Sequence, residues 1–436
     1  MAVTPGSKVY GSEYNGVATL VNKVFGDNYP TATPLTSAEA SATTPAFNTS
    51  QYANISRGTD INGAPAVYGN YRFGWGAANL ANNIAVGDLI TADRLQYLVD
   101  RVNIMVDHIN VTDTILVFAV PTGRNTVDKY ATIRAEDLNV VENKINNSVI
   151  PNYNYNSIDP TDASLLIATQ TPSDMERTAP WTNKITGEYK WVFDDYNHAR
   201  HFFNSGGQLR IQLEMSGGCT AGYYNWSDVI NEMGVLTFTV DNLYQSNNHY
   251  TAGTSYGKGF YHLTENYGDG SDTSTNEGLL FESSGVTVNI GFSNYGYGYG
   301  YGSAYSGYYG FVSSFMTGYT TGYHYCPPSA YGYGYGYGYG YGTSVYASSY
   351  GSYSSYASLR FKIYGKWDAS GTELHFKVIL DDTAYDQTID GQIASNFTYL
   401  MPDTLTRTSW AGSATFDVNP DPYVVITDNF NTMDDS

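Results

Sequence analysis

Between Glu282 and Arg360 the chain runs for 77 residues without a single Asp, Glu, Lys or Arg, and the span from Tyr295 to Tyr356 holds 20 of its 43 tyrosines. Inside this window "NYGYGYGYGS" extends from Asn294 to Ser303 and "AYGYGYGYGYGYGTS" from Ala330 to Ser344. In an extended strand, side chains alternate between faces. Tyr331, Tyr333, Tyr335, Tyr337, Tyr339 and Tyr341 would then make one aromatic face opposite bare glycine, and Tyr295, Tyr297, Tyr299 and Tyr301 repeat the pattern. A three-fold polyproline helix would scatter the rings, and the tracts have no period of three.

Ordering the twelve residues of the longer tract costs on the order of 12–24 kcal/mol of backbone entropy, against about 10–18 kcal/mol from burying its six rings. Glycine contributes no packing surface and loses the most backbone freedom. A lone tract is near balance at best, so order requires companions: the second tract, strands of the host domain, or other subunits. Three uses compete, a disordered spacer, a stacked self-associating β surface and an aromatic platform for sugars; the period-two pattern favours the stacked surface.

The remainder must supply the cores. Of 436 residues 42% are hydrophobic and only 14% charged, against about 25% charged in an average soluble protein. That length suggests two or three domains. The formal net charge of −20 argues against nucleic acid and anionic membranes, whose phosphates it would repel. The first residues lack the apolar stretch of a signal peptide, and "ILVFAV" at Ile115 to Val120 is far too short to span a bilayer. A soluble protein made in a cytoplasm is the expectation.

Residues 1–150 read as a helical docking region with a long arm. "VYGSEYNGVATLVNKVF" from Val9, "ITADRLQYLVDRVNIMV" from Ile90 and "IRAEDLNVVENKINNSV" from Ile133 align without gaps. Tyr14, Leu95 and Leu138 coincide, as do Val17, Leu98 and Val141, then Val21, Val102 and Ile145. These offsets of three and seven place the apolar residues on one side of a helix. Thr91 is placed to N-cap the second helix, with Asp93 in its first turn. The polar stretch from Gly26 to Gly87 is too long for an ordinary loop and reads as an arm draped over something.

Residues 151–180 read as a linker and residues 181–436 as an antiparallel β-sandwich body, interrupted by the tyrosine-rich insertion at about 293–358. Strands are expected at Ile185 to Phe193, in "QLRIQLE" with Leu209, Ile211 and Leu213 inward and Arg210, Gln212 and Glu214 outward, and beginning at Val235, Val286, Ser358, Glu373 and Tyr423. Short helices are expected at "YNHARHFF", N-capped by Asp195 and stopped at Asn204 to Gly207, and at "WSDVINEM". The fold class is α+β, mainly β.

Chemistry is sparse. Asp194, His198 and His201 share a helix face at metal-ligand spacing, but an N-cap with two partly exposed histidines explains them better. Asp381, Asp382, Asp386 and Asp390 offer carboxylates that a calcium ion would accept; a solvated turn explains the run as well, as it does Asp269 to Glu277. Cys219 and Cys326 form no zinc spacing or disulfide framework and read as inert thiols. No P-loop, nucleophile elbow or His-Glu-x-x-His motif occurs, so no enzyme and no cofactor beyond that calcium is expected.

The stretch "ARHFFNSGGQLRIQLEMSGG" resembles virion structural proteins of tailed bacteriophages, notably marine cyanophages with contractile tails. Their short N-terminal helices are similar to "EYNGVATLVNKVFG", and their late acidic stretch to Asp381–Ile393. The resemblance covers residues 8–26, 85–150, 180–292 and 359–395. It implies a non-enzymatic tail, neck or baseplate component, possessing no catalytic residues and located in the virion, with itself and other virion proteins as partners. The Tyr-Gly insertion departs from that pattern, so its role is not carried over. On this expectation the ten tyrosines named above form an oligomerisation surface. The alternatives are a receptor-binding adhesin that grips host polysaccharide with the Tyr face during host attachment, and an extracellular filament or matrix protein.

Overall fold

The computed structural model describes residues 9–26, 34–37, 60, 62–64, 73–75, 81, 83–85, 88–109, 135–153, 168–170, 175–240, 242–245, 253–255, 259–267, 277–283, 289–292, 310–313, 359–382, 388–400 and 422–432. They form helices and two main antiparallel sheets around two hydrophobic cores.

The first core is helical. Helix α1 (Gly11–Phe25), α2 (Ala92–His108) and α3 (Ala135–Lys144) carry the aligned apolar positions. All nine, from Tyr14 to Ile145, are buried together. Glu13 begins α1 by taking the Tyr10 N–H at 2.7 Å, and the Thr91 hydroxyl accepts the Arg94 N–H at 3.3 Å at the start of α2. Past α3 the helix widens into a π turn, Ile145–Val149, and ends in a 3-10 turn containing Pro151.

Tyr14 donates its hydroxyl to the Arg94 carbonyl at 3.4 Å, and the Arg101 guanidinium lies 5.8 Å from the Phe25 ring. Helices α1 and α2 therefore run the same way, and the chain must return between them. It does so along α1 itself. The Trp75 N–H donates to the Val24 carbonyl at 2.9 Å. Asn22 then holds Ala81 through both backbone groups, Oδ1 accepting at 2.7 Å and Nδ2 donating at 2.9 Å. Asn15 holds Ile84 in the same manner at 2.8 and 3.0 Å. The match is metric: seven helical residues rise ~10.5 Å, and three extended residues ~10 Å.

The second core lies between the sheets. The six-stranded sheet has the order β13 (Tyr423–Thr432), β2 (Lys184–Val192), β11 (Glu373–Asp381), β10 (Arg360–Trp367), β7 (Leu279–Ser283), β6 (Gly253–Ser255). The five-stranded sheet has the order β1 (Ala168–Gln170), β12 (Gln392–Leu400), β3 (Gln208–Ser216), β4 (Val235–Phe238), β5 (Leu243–Gln245). Alternation sets the faces. Leu374, Phe376, Val378 and Leu380 of β11 point inward, while Lys377 and Asp381 lie directly opposite Glu188 and Lys184 on the other face and pair with them at 3.2 and 4.0 Å. Rings from the two sheets meet inside: Tyr189 lies 4.5 Å from Phe397, and Phe238 5.2 Å from Phe376.

Helix α4 (Tyr196–Asn204) starts at Asp195, whose carboxylate accepts the His198 N–H at 2.7 Å, and is followed by Gly206 at φ +96°. Helix α5 (Ala221–Met233) is capped by Thr220. Leu209, Ile211 and Leu213 of β3 face the inner core as alternation predicts, but Gln208 and Arg210 on its other face are buried as well. Leu400, which pairs with Gln208, belongs to the helical core, so that core covers this end of the sheet. Of residues 151–180, Tyr153 lies in the helical core and Met175 in the β core. Among the described residues no helix is long and apolar enough to cross a membrane.

Candidate functional site

The ten tyrosines singled out above, Tyr295 to Tyr301 and Tyr331 to Tyr341, lie outside the described residues. What the structure gives is the place where their segment leaves and re-enters the body. Strands β7 and β10 are hydrogen-bonded neighbours, with Lys362 opposite Glu282. Residues 284–358 are thus the connection of one antiparallel pair. Ser283 closes its base: its hydroxyl accepts the Phe361 N–H at 2.8 Å and donates to the Leu359 carbonyl at 3.3 Å, all buried. Just outside, the Glu282 carboxylate lies 3.1 Å from Arg360 and 3.7 Å from the ammonium of Lys362.

Within the connection, β8 (Asn289–Phe292) and β9 (Gly310–Ser313) pair antiparallel, Phe292 opposite Gly310. The shorter Tyr-Gly tract is the stretch between them, and β9 lies against α5. The strand expected from Val286 begins at Asn289, and it pairs with β9 instead of either main sheet.

The candidates for chemistry are occupied by structural work. His198 is buried, not partly exposed as expected; its Nδ1 accepts the Asp194 N–H at 3.2 Å, a local turn at the foot of α4. Asp381 pairs with Lys184, and Asp382 is buried with its N–H on the Asn183 carbonyl at 2.6 Å. Asp390 accepts the Cys219 N–H at 3.0 Å, the Thr220 N–H at 2.9 Å and the Thr220 hydroxyl at 2.7 Å. Burial alone would raise this carboxyl, but those donors outweigh it and hold its pKa below the usual value. Asp386 lies outside the described residues. Among the described residues no three His, Cys, Asp or Glu side chains are grouped to hold a metal ion. Cys219 is disulfide-bonded, which corrects the expectation of an inert free thiol.

Two sets of contacts made by the arm were not anticipated in their placement. Leu35 of the arm is buried, and Ser37 docks on the β body: its N–H reaches Glu265 at 2.9 Å, its hydroxyl bonds Glu277, and Asn266 donates to that hydroxyl at 2.8 Å. Thr264 also donates to Glu277 at 2.7 Å, so both acids receive the arm. Further along, "FGW" joins the two cores. Phe73 packs in the β core, 5.2 Å from Tyr261. Trp75 packs in the helical core, stacked on Tyr153 at 5.6 Å and edge-on to His108 at 4.3 Å. The only sequence signal was two aromatics two residues apart in a polar stretch.

The chain matches no family model, no characterised protein and no solved structure.

Proposed function

We propose that the chain is a non-enzymatic structural protein of a tailed-phage particle, a tail, neck or baseplate component. Its two sheets form a β-sandwich body that presents the tyrosine-rich segment to neighbouring subunits as an oligomerisation surface. The observation that carries this reading is the base of the segment. The charge-free window departs and returns at one hairpin, with Ser283 bonded to both Leu359 and Phe361. An uncharged, ring-rich segment that leaves and re-enters the body between neighbouring strands suits burial against partners: it brings no charge to desolvate, and bare glycine lets backbones approach closely. The particle itself is supported by the resemblance of the stretch from Ala199 to Gly218 to phage virion proteins.

The test is assembly. Purified full-length chain is expected to form a defined oligomer by light scattering. Six Tyr→Ser substitutions at Tyr331 to Tyr341 are expected to reduce it to monomers with the thermal transition of the body unchanged. A wild-type chain that stays monomeric at all concentrations, or a variant that assembles as well as wild type, overturns the reading. Binding of the wild type to neutral glycans that vanishes in the variant, with no change in oligomeric state, would transfer the tyrosines to host attachment.

A further inference from the structure

Strand β13 closes one end of the six-stranded sheet: β2 flanks it on one side, and among the described residues no strand lies on the other. Its outward backbone groups follow from the bonds further in. The Phe193 N–H donates to the Thr372 carbonyl at 2.9 Å, and the Asp382 N–H to the Asn183 carbonyl at 2.6 Å. Main-chain groups alternate sides along an antiparallel strand, so the odd-numbered residues of β2 face β11 and the even-numbered ones face β13. Val192 and Lys190 stand opposite Tyr423 and Val425, which therefore bond to β2. Val424 and Ile426 turn their N–H and C=O outward. Beyond the two bulges the same rule turns Phe430 outward, and its carbonyl accepts from Arg177 at 2.9 Å.

Proteins blunt such an edge with lysine, proline or a bulge. Here Pro422 and the bulge before Asp428 delimit the edge, but Tyr423 to Thr427 between them carry no charge and no proline, in a chain of net charge −20. Val424, Val425, Ile426 and Thr427 are all β-branched, the type that strands favour. Val424 is buried at the rim of the β core, and Ile426 is only partly covered there.

We propose that β13 pairs with β13 of a second copy about a two-fold axis through Val425, joining two six-stranded sheets into one. In this register each Val424 lies opposite the partner's Ile426, and reciprocal N–H···O=C bonds use every outward group of both residues. A shift of one residue sets Val424 against Val425, whose groups face β2. A shift of two brings either Pro422, which has no N–H, opposite Ile426, or Asp428, which faces β2, opposite Val424. Val424 and Ile426 side by side continue the β core across the axis. The two Asp428 carboxylates stand about 20 Å apart along the strands, well beyond the screening length of ~8 Å. Strand β13 is three strands from β10 and four from β7, between which the tyrosine-rich segment leaves, so the two surfaces are separate. A five-residue edge falls well short of the roughly 20–30 residues a side of a stable interface. The pairing therefore forms between copies that the tyrosine surface has gathered, and to that extent rests on the function proposed above.

Cysteine cross-linking of the full-length oligomer tests this. On the axis the two Val425 residues form a non-hydrogen-bonded pair with Cα atoms about 4.5 Å apart, inside the range that a disulfide spans. Val425→Cys is expected to cross-link under mild oxidation at least tenfold faster than Tyr423→Cys, which is the more exposed position but lies off the axis. An oligomer in which the two variants cross-link equally overturns the pairing and leaves the tyrosine surface standing. A chain that forms no oligomer removes the tyrosine surface, and the same comparison in concentrated solution then decides the pairing by itself: a faster Val425→Cys upholds it, equal rates overturn it. Slow hydrogen exchange of the Val424 and Ile426 amides in dilute monomer also overturns it, since another stretch of the chain would then hold the edge.

Discussion

Glu282 and Arg360, the last charge before the tyrosine-rich window and the first after it, pair diagonally across one strand pair at 3.1 Å. The contact is positional more than energetic. Arg360 is half exposed, and such pairs contribute about 0–1 kcal/mol. Ser283 matters more, because Phe361 N–H is buried and has the serine hydroxyl as acceptor. Ser283→Ala leaves that donor unpaired and should cost about 1–3 kcal/mol, whereas Glu282→Gln should cost under about 1 kcal/mol. Urea denaturation of the two variants checks the order, and a larger loss from Glu282→Gln would contradict it.

Phe73 and Trp75 make the arm a strap between the cores. Each is buried, so truncation to alanine should cost about 3–5 kcal/mol. The losses should differ in place. Trp75→Ala removes the rings' contacts with Phe25, Tyr153 and His108 and should loosen α1 and α2 first. Phe73→Ala should act on the β body around Tyr261. Exchange protection mapped over both cores distinguishes the two, and uniform loosening by either variant would show that the cores unfold as one.

His108 ends α2 inside the protein, and a hydrogen bond to the Ser205 backbone only partly offsets the burial that drives its pKa down to about 3. The unfolded chain therefore binds a proton near pH 6.5 that the folded chain refuses. Stability should fall as pH drops below 6.5, by about 1.4 kcal/mol per unit, until the folded value is reached. His375, lowered first by burial, adds the same sign. Urea midpoints from pH 7 to 4.5 should decline in the wild type and flatten markedly in His108→Gln. Equal slopes in both would place the acid sensitivity elsewhere.

The helical core was legible because its signal is periodic. Three aligned stripes of Tyr, Leu, Val and Ile called for a partner, each other, the β body or another subunit, and the structure buries all nine positions together. Strand β3 was legible for the same reason. Strand β12 was not: its inward residues are Ile393, Ser395, Phe397 and Tyr399, and the serine breaks the apolar alternation just after an acidic run. Arg210 and Gln208 expose a second limit. Alternation assigns a residue to a face but does not say what covers that face, and here the helical core reaches it through Leu400. The asparagine contacts along α1 and the strap were illegible because a side-chain amide's bond to a distant backbone group leaves no mark in the sequence, and Phe73 and Trp75 do not tell which core each ring enters. The tyrosine site was read entirely from its period of two, and its residues lie outside those described.

Asp390 sits in the stretch that first suggested calcium, and its geometry assigns it to holding β12 against α5. Three donors from Cys219 and Thr220 converge on it, and the corner is tight: at Gly391, φ +94°, a Cβ would lie 2.8 Å from the Ser216 carbonyl oxygen. Asp390→Asn keeps one acceptor but removes the charge that strengthens these bonds, for an expected loss of about 1–2 kcal/mol. The pH dependence separates charge from packing. Because donors hold the folded carboxyl below its usual value, its contribution is present above pH ~4 and disappears as pH falls through the folded value. Wild type should thus exceed Asp390→Asn by a constant margin from pH 7 to 5, and the margin should shrink below pH 4. A margin that persists unchanged to pH 2.5 would mean that the asparagine disturbs the corner by shape alone.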